Sequence, residues 1–140
     1  MANEATLYIA QGHPIPFTVA DGTAITKGSV LRMTDEFTAS AATADYDIIA
    51  GVAASDKIAS SGVTKLGVFR NGVFIMTLSG SCSVGDALGV FGDGSNKVGV
   101  LDVSGQTLSG SRCLGTALST GTNGQTIYVD VNIQQTWPSI

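Results

Sequence analysis

From Asp21 onward the chain alternates short apolar runs with small polar breaks, the rhythm of strands joined by tight turns. Asp21-Gly22-Thr23 reads as a turn before the strand SVLRMTD (29–35), and EFTAS (36–40) reads as its short hairpin return. The polar loop AATADYD (41–47) leads into the apolar run IIAGVAAS (48–55). A turn at Ser60-Ser61-Gly62 then opens VTKLGVF (63–69), and Arg70-Asn71-Gly72 separates it from VFIMTL (73–78). Asn-Gly between two apolar runs is a strong hairpin signal, because both residues tolerate positive φ, so a tight turn is expected at 70–72 with a structural role for Arg70 and Asn71.

Residues 1–20 break the rhythm. LYIA (7–10) is β-prone, but QGHPIPF (11–17) sets Pro14 and Pro16 around Ile15. Proline cannot donate to a sheet ladder, so this stretch is expected to be extended, at an edge or outside the fold. It reads as an arm whose apolar residues, Leu7, Tyr8, Ile9, Ile15 and Phe17, need a surface to cover. That surface is either a partner or the chain's own barrel edge. The expected organisation is an arm over 1–20, a β domain over 21–133 and a tail over 134–140.

The second half echoes the first. TKGSVLRM (26–33) aligns with SVGDALGV (83–90), AGVAAS (50–55) with LGTALS (114–119), and GVTKLGVF (62–69) with GQTIYVDV (124–131). Gly28 thereby matches Gly85, and Gly51 matches Gly115. Blocks in the same order argue for two copies of one β unit, too few for a solenoid and suited to a small barrel or a sandwich. The fold class expected is therefore all-β. The same comparison explains the glycine-rich SVGDALGVFGDGSNKVGV (83–100): ALGVF is a strand, GDGSN a turn and KVGV its return. A phosphate loop of the Walker type needs Gly-Lys-Ser/Thr opening a helix, and here Lys97 begins a strand. An EF-hand loop needs regularly spaced oxygen ligands and a Glu at its twelfth position, which Asp93 and Asn96 do not provide.

Composition narrows the function. The chain has 140 residues, 44% of them apolar and 13% charged, with a net charge of −4. Its seven basic residues are scattered singly, so nucleic-acid binding, which needs clustered cations to displace counterions, is not expected. No run approaches the ~20 apolar residues of a membrane span, and no basic amphipathic stretch suits a membrane surface. MANEATLYIAQGHP has neither a basic start nor an apolar core, which argues against a signal peptide and for folding in the cytoplasm. Cys82 and Cys113 then read as small buried hydrophobes rather than a disulfide. Catalytic chemistry finds little support. His13 lies on the presumed arm, where it cannot be held rigidly against a nucleophile. One histidine and two distant cysteines do not make a zinc site. The carboxylate pairs Asp35/Glu36 and Asp45/Asp47 read as loop charges, and no motif supports a Ser–Lys dyad. The expectation is a protein that is not an enzyme, with no cofactor and no metal.

GSVLRMTDEFTASAATADYDIIAGVAASDKIASSGVTKLGVFRNGVFIM, Gly85-Asp86-Ala87-Leu88 and Gly115-Thr116-Ala117 resemble the capsid decoration, or cementing, proteins of tailed bacteriophages, the lambda type among them. The resemblance runs from about residue 18 to 133. This chain departs from the lambda type in being longer, with extra C-terminal strands. The resemblance implies a β-barrel or β-tulip protein on the outside of the virion. It would clamp neighbouring major capsid protein subunits as a homotrimer, with Leu7, Tyr8, Ile9, Pro14, Ile15, Pro16 and Phe17 as the capsid-binding arm. Such an arm would gain main-chain hydrogen bonds by adding a strand to the shell. Trp137, in QQTWPSI (134–140), either plugs the barrel end or meets a neighbouring protomer. The competing reading is a carbohydrate- or receptor-binding β module of a phage head fibre, with Tyr46 as its aromatic platform.

Overall fold

The computed structural model describes residues 3–43, 47–91, 96–101 and 112–133. Among these described residues lie eleven strands: β1 (Thr6–Ile9), β2 (Ile15–Thr18), β3 (Val30–Asp35), β4 (Thr38–Ala41), β5 (Ile49–Ala53), β6 (Lys65–Phe69), β7 (Asn71–Thr77), β8 (Ala87–Val90), β9 (Val98–Val100), β10 (Gly115–Ala117) and β11 (Thr126–Asn132). The fold is all-β, as its alternating sequence requires. β2, β4, β3, β5 and β6 close into a barrel, while β1, β7, β11, β10, β8 and β9 form a six-stranded sheet in that order.

The two sheets are the two copies. Around the barrel the pairing runs β2-β6-β5-β3-β4, and along the sheet it runs β7-β11-β10-β8-β9, the same path through corresponding strands. The barrel closes through a parallel contact of Thr18 with Thr38, and a parallel bridge of Leu78 with Val98 curls the sheet in the same sense. Backbone hydrogen bonds repeat as well. Gly28 N donates to Ala53 O and Gly85 N to Ala117 O, each at 2.9 Å, and both glycines have positive φ. Gly51 and Gly115 occupy the corresponding strands β5 and β10, and in each case an added Cβ would run into the carbonyl of the neighbouring strand, at Phe69 and Asp130 respectively.

One block of the sequence alignment is displaced by a residue. Gly62 and Gly124 do match as turn glycines, with φ of 84° and 85°. Beyond them, Ala53 pairs with Val68 while its counterpart Ala117 pairs with Val129, so Leu66 corresponds to Ile127 and Val68 to Val129. The first copy carries one more residue between turn and strand. Since side chains alternate faces, only this register puts Leu66, Val68, Ile127 and Val129 all inside.

The hairpin expected at 70–72 is not formed. β6 pairs with β2 and β5 in the barrel, whereas β7 pairs with β1 and β11 in the sheet, so Arg70 is the crossover between copies. The positive φ available to Gly72 is used, at 132°, inside a strand rather than in a turn. A side chain there would press on Ile9 O at 3.1 Å and on the Phe74 ring at 3.3 Å. Local turn chemistry identified the right residue, and tertiary pairing gave it another task. The hairpin expected in 83–100 is present, with Leu88, Gly89 and Val90 facing Val100, Gly99 and Val98.

Of the two surfaces open to residues 1–20, β1 and β2 cover the chain's own strands. β2 is a stave of the barrel, with Ile15, Pro16, Phe17 and Thr18 facing Val68, Gly67, Leu66 and Lys65. β1 crosses to the other copy and pairs with β7, Thr6 opposite Ile75 and Leu7 opposite Phe74. Burial drives this: Phe17 is 2% exposed, and Ala5 is buried in the core of the second copy.

Two cores result. One fills the barrel with Phe17, Val19, Ile25, Leu31, Ala39, Ala50, Ala53, Leu66 and Val68. The other fills the second copy and reaches across to Val30, Ile49 and Val52 on the barrel's outer wall. β5 is therefore covered on both faces, and a bulge beside Gly51 lets Ile49 and Val52 face outward while Ala50 and Ala53 face in. Asn96 fastens the two copies: its Oδ1, buried, accepts the Val30 N–H at 3.0 Å. Cys82 and Cys113 are buried free thiols.

Candidate functional site

Two surface features have the apolar exposure that a binding role needs. The first is the β1 edge. β1 ends the sheet, so among the described residues its outer rim of N–H and C=O groups has no strand partner. Leu7, Tyr8 and Ile9 are 36%, 58% and 51% exposed. The Tyr8 ring lies 5.0 Å from that of Tyr128, which is itself 42% exposed, and Tyr128 sits opposite Ile75 in the sheet. The result is an apolar, aromatic-topped patch beside an open strand edge, the feature that templates strand addition.

The second feature is one mouth of the barrel. Ile15, Phe17, Met33, Glu36, Phe37 and Arg70 line a cavity of about 440 Å3. These residues come together because the start of β2, the end of β6 and the β3–β4 turn meet at that end of the barrel. Phe37 occupies this turn at φ 44°, a left-handed conformation that is an outlier for a bulky residue and costs on the order of 1–3 kcal/mol. Its ring is nevertheless 58% exposed, resting 5.8 Å from the ring of Phe17. Arg70 spends one N–H on Ala50 O at 2.9 Å, its acceptor among the described residues. Burial pulls its pKa below the ordinary arginine value.

The structure thus splits the residues expected to form one arm. Leu7, Tyr8 and Ile9 stay together on the sheet edge. Pro14 and Pro16 are exposed on the barrel, with Pro14 lying over Gly67. Ile15 belongs to the mouth, and Phe17 is core, unavailable to any partner without unfolding. Trp137 and Tyr46 lie outside the described residues. Sequence reasoning missed Tyr128, Phe37 and Arg70 as surface features. An aromatic at the tip of a polar turn, in Asp35-Glu36-Phe37-Thr38, was the available signal for Phe37.

Two of the remaining candidates, Asp35 and Asp47, have structural partners. His13 is exposed. Asp35 Oδ1 accepts the Glu36 N–H at 2.8 Å within the turn, and Asp47 Oδ2 accepts the Thr43 N–H at 3.0 Å. Asp45 and Asp93 lie outside the described residues. Among the described residues no group of three His, Cys, Asp or Glu side chains is placed to hold a metal ion. Burial raises the pKa of the Cys113 thiol, whose Sγ lies 3.6 Å from Gly115 O.

No protein-family model matches the chain, and no curated protein does. Among solved structures it is similar to the head fibre gp8.5 N base of bacteriophage phi29, at 16% identity and a TM-score of 0.54. The likeness covers 89% of this chain and 98% of that one, so the two share a fold over nearly their whole lengths.

Proposed function

We propose that this chain is a structural protein of a phage head, held on the outer surface of the assembled capsid, where it stabilises the shell by bridging neighbouring major capsid protein subunits. The observation that carries this reading is the fold likeness to a phage head fibre base over 98% of that chain. The resemblance of 18–133 to capsid decoration proteins supports it independently. The β1 edge supplies the contact. An extended segment of the shell that pairs with β1 gains main-chain hydrogen bonds, while Tyr8, Ile9 and Tyr128 offer apolar cover beside it. Because such a protein binds the assembled lattice and not free subunits, it stabilises the lattice by mass action. A trimer would multiply modest single-site contacts into avidity.

Co-sedimentation tests this. In lysate from the natural source the protein should travel with particles of viral size, and mild denaturation should strip it before the shell breaks. Replacing Tyr8 and Ile9 by Lys should release it from those particles while leaving circular dichroism unchanged. A protein that stays at the top of the gradient while particles sink refutes the capsid reading.

A second reading, a receptor- or carbohydrate-binding module of a head fibre, is favoured by one observation, the exposed Tyr8–Tyr128 pair. Aromatic platforms of that kind stack on sugars. A glycan screen that finds a ligand lost in Tyr128→Ala would select this reading.

A further inference from the structure

The barrel mouth sets an apolar wall beside a cation that has no counter-charge. Ile15, Phe17, Met33 and Phe37 line about 440 Å3 of open space together with Glu36 and Arg70. That volume falls within the roughly 300–1,000 Å3 of small-molecule sites, which are mostly apolar with a few convergent polar groups. Arg70 is the polar group held in place. Its guanidinium is pinned by donating to Ala50 O at 2.9 Å, and the rest of its donor fork has no acceptor among the described residues. Burial lowers its pKa, and no neighbouring carboxylate offsets that shift. Phe37 stands at the same mouth in a left-handed conformation, φ 44°, with its ring 58% exposed. A mostly solvated ring in a strained turn gains little for the free fold beyond its contact with Phe17, whereas a ligand that covers it adds apolar burial.

We propose that this mouth binds a small amphipathic carboxylate, its compact apolar body resting on Phe17, Phe37 and Met33 and its single negative head on Arg70. The head supplies what Arg70 lacks, because a planar carboxylate takes two parallel N–H bonds from a guanidinium fork. Partial burial strengthens that bond relative to one made in open water. The tilted ring pair of Phe17 and Phe37, with centroids 5.8 Å apart, suits an aromatic body. Glu36 reaches the rim from the exposed β3–β4 turn and selects a ligand with one negative charge over one with two. A neutral ligand would leave the Arg70 donors unmatched, and a cationic one would be repelled by them.

Methyl NMR of methionine-labelled protein tests this, because Met33 lines the mouth while Met76 is buried in the other core. The probes are naphthylacetate and its uncharged isostere naphthylacetamide. Naphthylacetate should shift the Met33 methyl signal saturably and leave that of Met76 in place. The amide should bind about tenfold more weakly, the loss of one charge-assisted contact. Phe37→Asn, which keeps a residue tolerant of positive φ and removes the ring, should weaken both probes together. Arg70→Met should erase the preference for carboxylate over amide. Should that variant fail to fold, the comparison of the two probes on the unaltered protein still decides the matter. Three results overturn the proposal: a Met33 signal that does not saturate, Met33 and Met76 shifting in step, or an amide that binds as tightly as the carboxylate. None of these outcomes depends on capsid binding, which the sedimentation experiment reads separately.

Discussion

Replacing Phe17 by alanine asks whether the N-terminal twenty residues are an appendage or part of the fold. Phe17 is 2% exposed and packs among Val19, Leu31, Leu66 and Val68 inside the barrel. Truncating a buried phenylalanine removes its transfer free energy and leaves a cavity, typically about 3–5 kcal/mol. Phe17 also forms one wall of the open mouth, so water can enter the new space, and its partner ring on Phe37 is mostly solvated. Both considerations favour the low end, about 3 kcal/mol. For a domain of this size that corresponds to a fall in Tm of about 10 °C. Thermal unfolding followed by circular dichroism would measure it, and urea titration should show a lower midpoint with an unchanged slope. A Tm that does not move would mean that residues 15–18 are not a stave of the barrel, and the account of the first copy would be wrong.

Other substitutions test the internal symmetry and the joint between copies. Gly51→Ala should cost at least about 3 kcal/mol, because its Cβ meets the Phe69 carbonyl, whereas Gly124→Ala, with open space around it, should cost only about 1–2 kcal/mol for its positive φ; urea midpoints would separate the two. Asn96→Ala leaves the Val30 N–H without its side-chain acceptor and should lose about 1–3 kcal/mol, measured the same way. The Cys113 pKa is raised by burial, so the folded state holds the neutral thiol more firmly than the unfolded chain does. Its contribution to stability is thus full below the ordinary thiol value of about 8.5 and is lost as pH rises through the higher folded value. In a thiol-labelling assay at pH 8.5, Cys113 should react slowly in the native protein and at once in urea.

Much of this architecture is legible in the sequence, for reasons that differ by element. The duplication showed through its glycines, since Gly28 and Gly85, or Gly51 and Gly115, stand where backbone geometry or a neighbouring carbonyl excludes a side chain. Alternation along 71–77 and 126–132 marked strands with one buried face. Partners were harder to read. Arg70-Asn71-Gly72 has the local chemistry of a hairpin, and nothing within a few residues reveals that β7 takes β11 and β1 instead of β6. The one-residue slip after Gly62 was invisible for the same reason, because aligning turn glycines says nothing about how many residues separate them from the strand. Pro14 and Pro16 pointed to a sheet edge, but Phe17 between them and β3 was the better guide, as a large apolar side chain seeks the nearest core. The candidate surfaces were half legible: Leu7, Tyr8 and Ile9 stood out by hydrophobicity, whereas Tyr128, Phe37 and Arg70 acquire their meaning only from distant neighbours.

The crossing of β1 to the second copy also sets an order of events during synthesis. Thr6 leaves the ribosome before its partner Ile75, which follows 69 positions later (75 − 6). At about 5–20 residues per second, the wait is roughly 3–14 s. Over that interval the first barrel receives all its strands, because every partner of β2 lies before residue 70. Until residues 71–77 follow, the nascent chain therefore carries an apolar strand with nowhere to go. A second ribosome on the same message would present the same strand nearby. Fast emergence of residues 71–77 thus protects the protein, and slow codons placed before them should raise the yield of tangled chains.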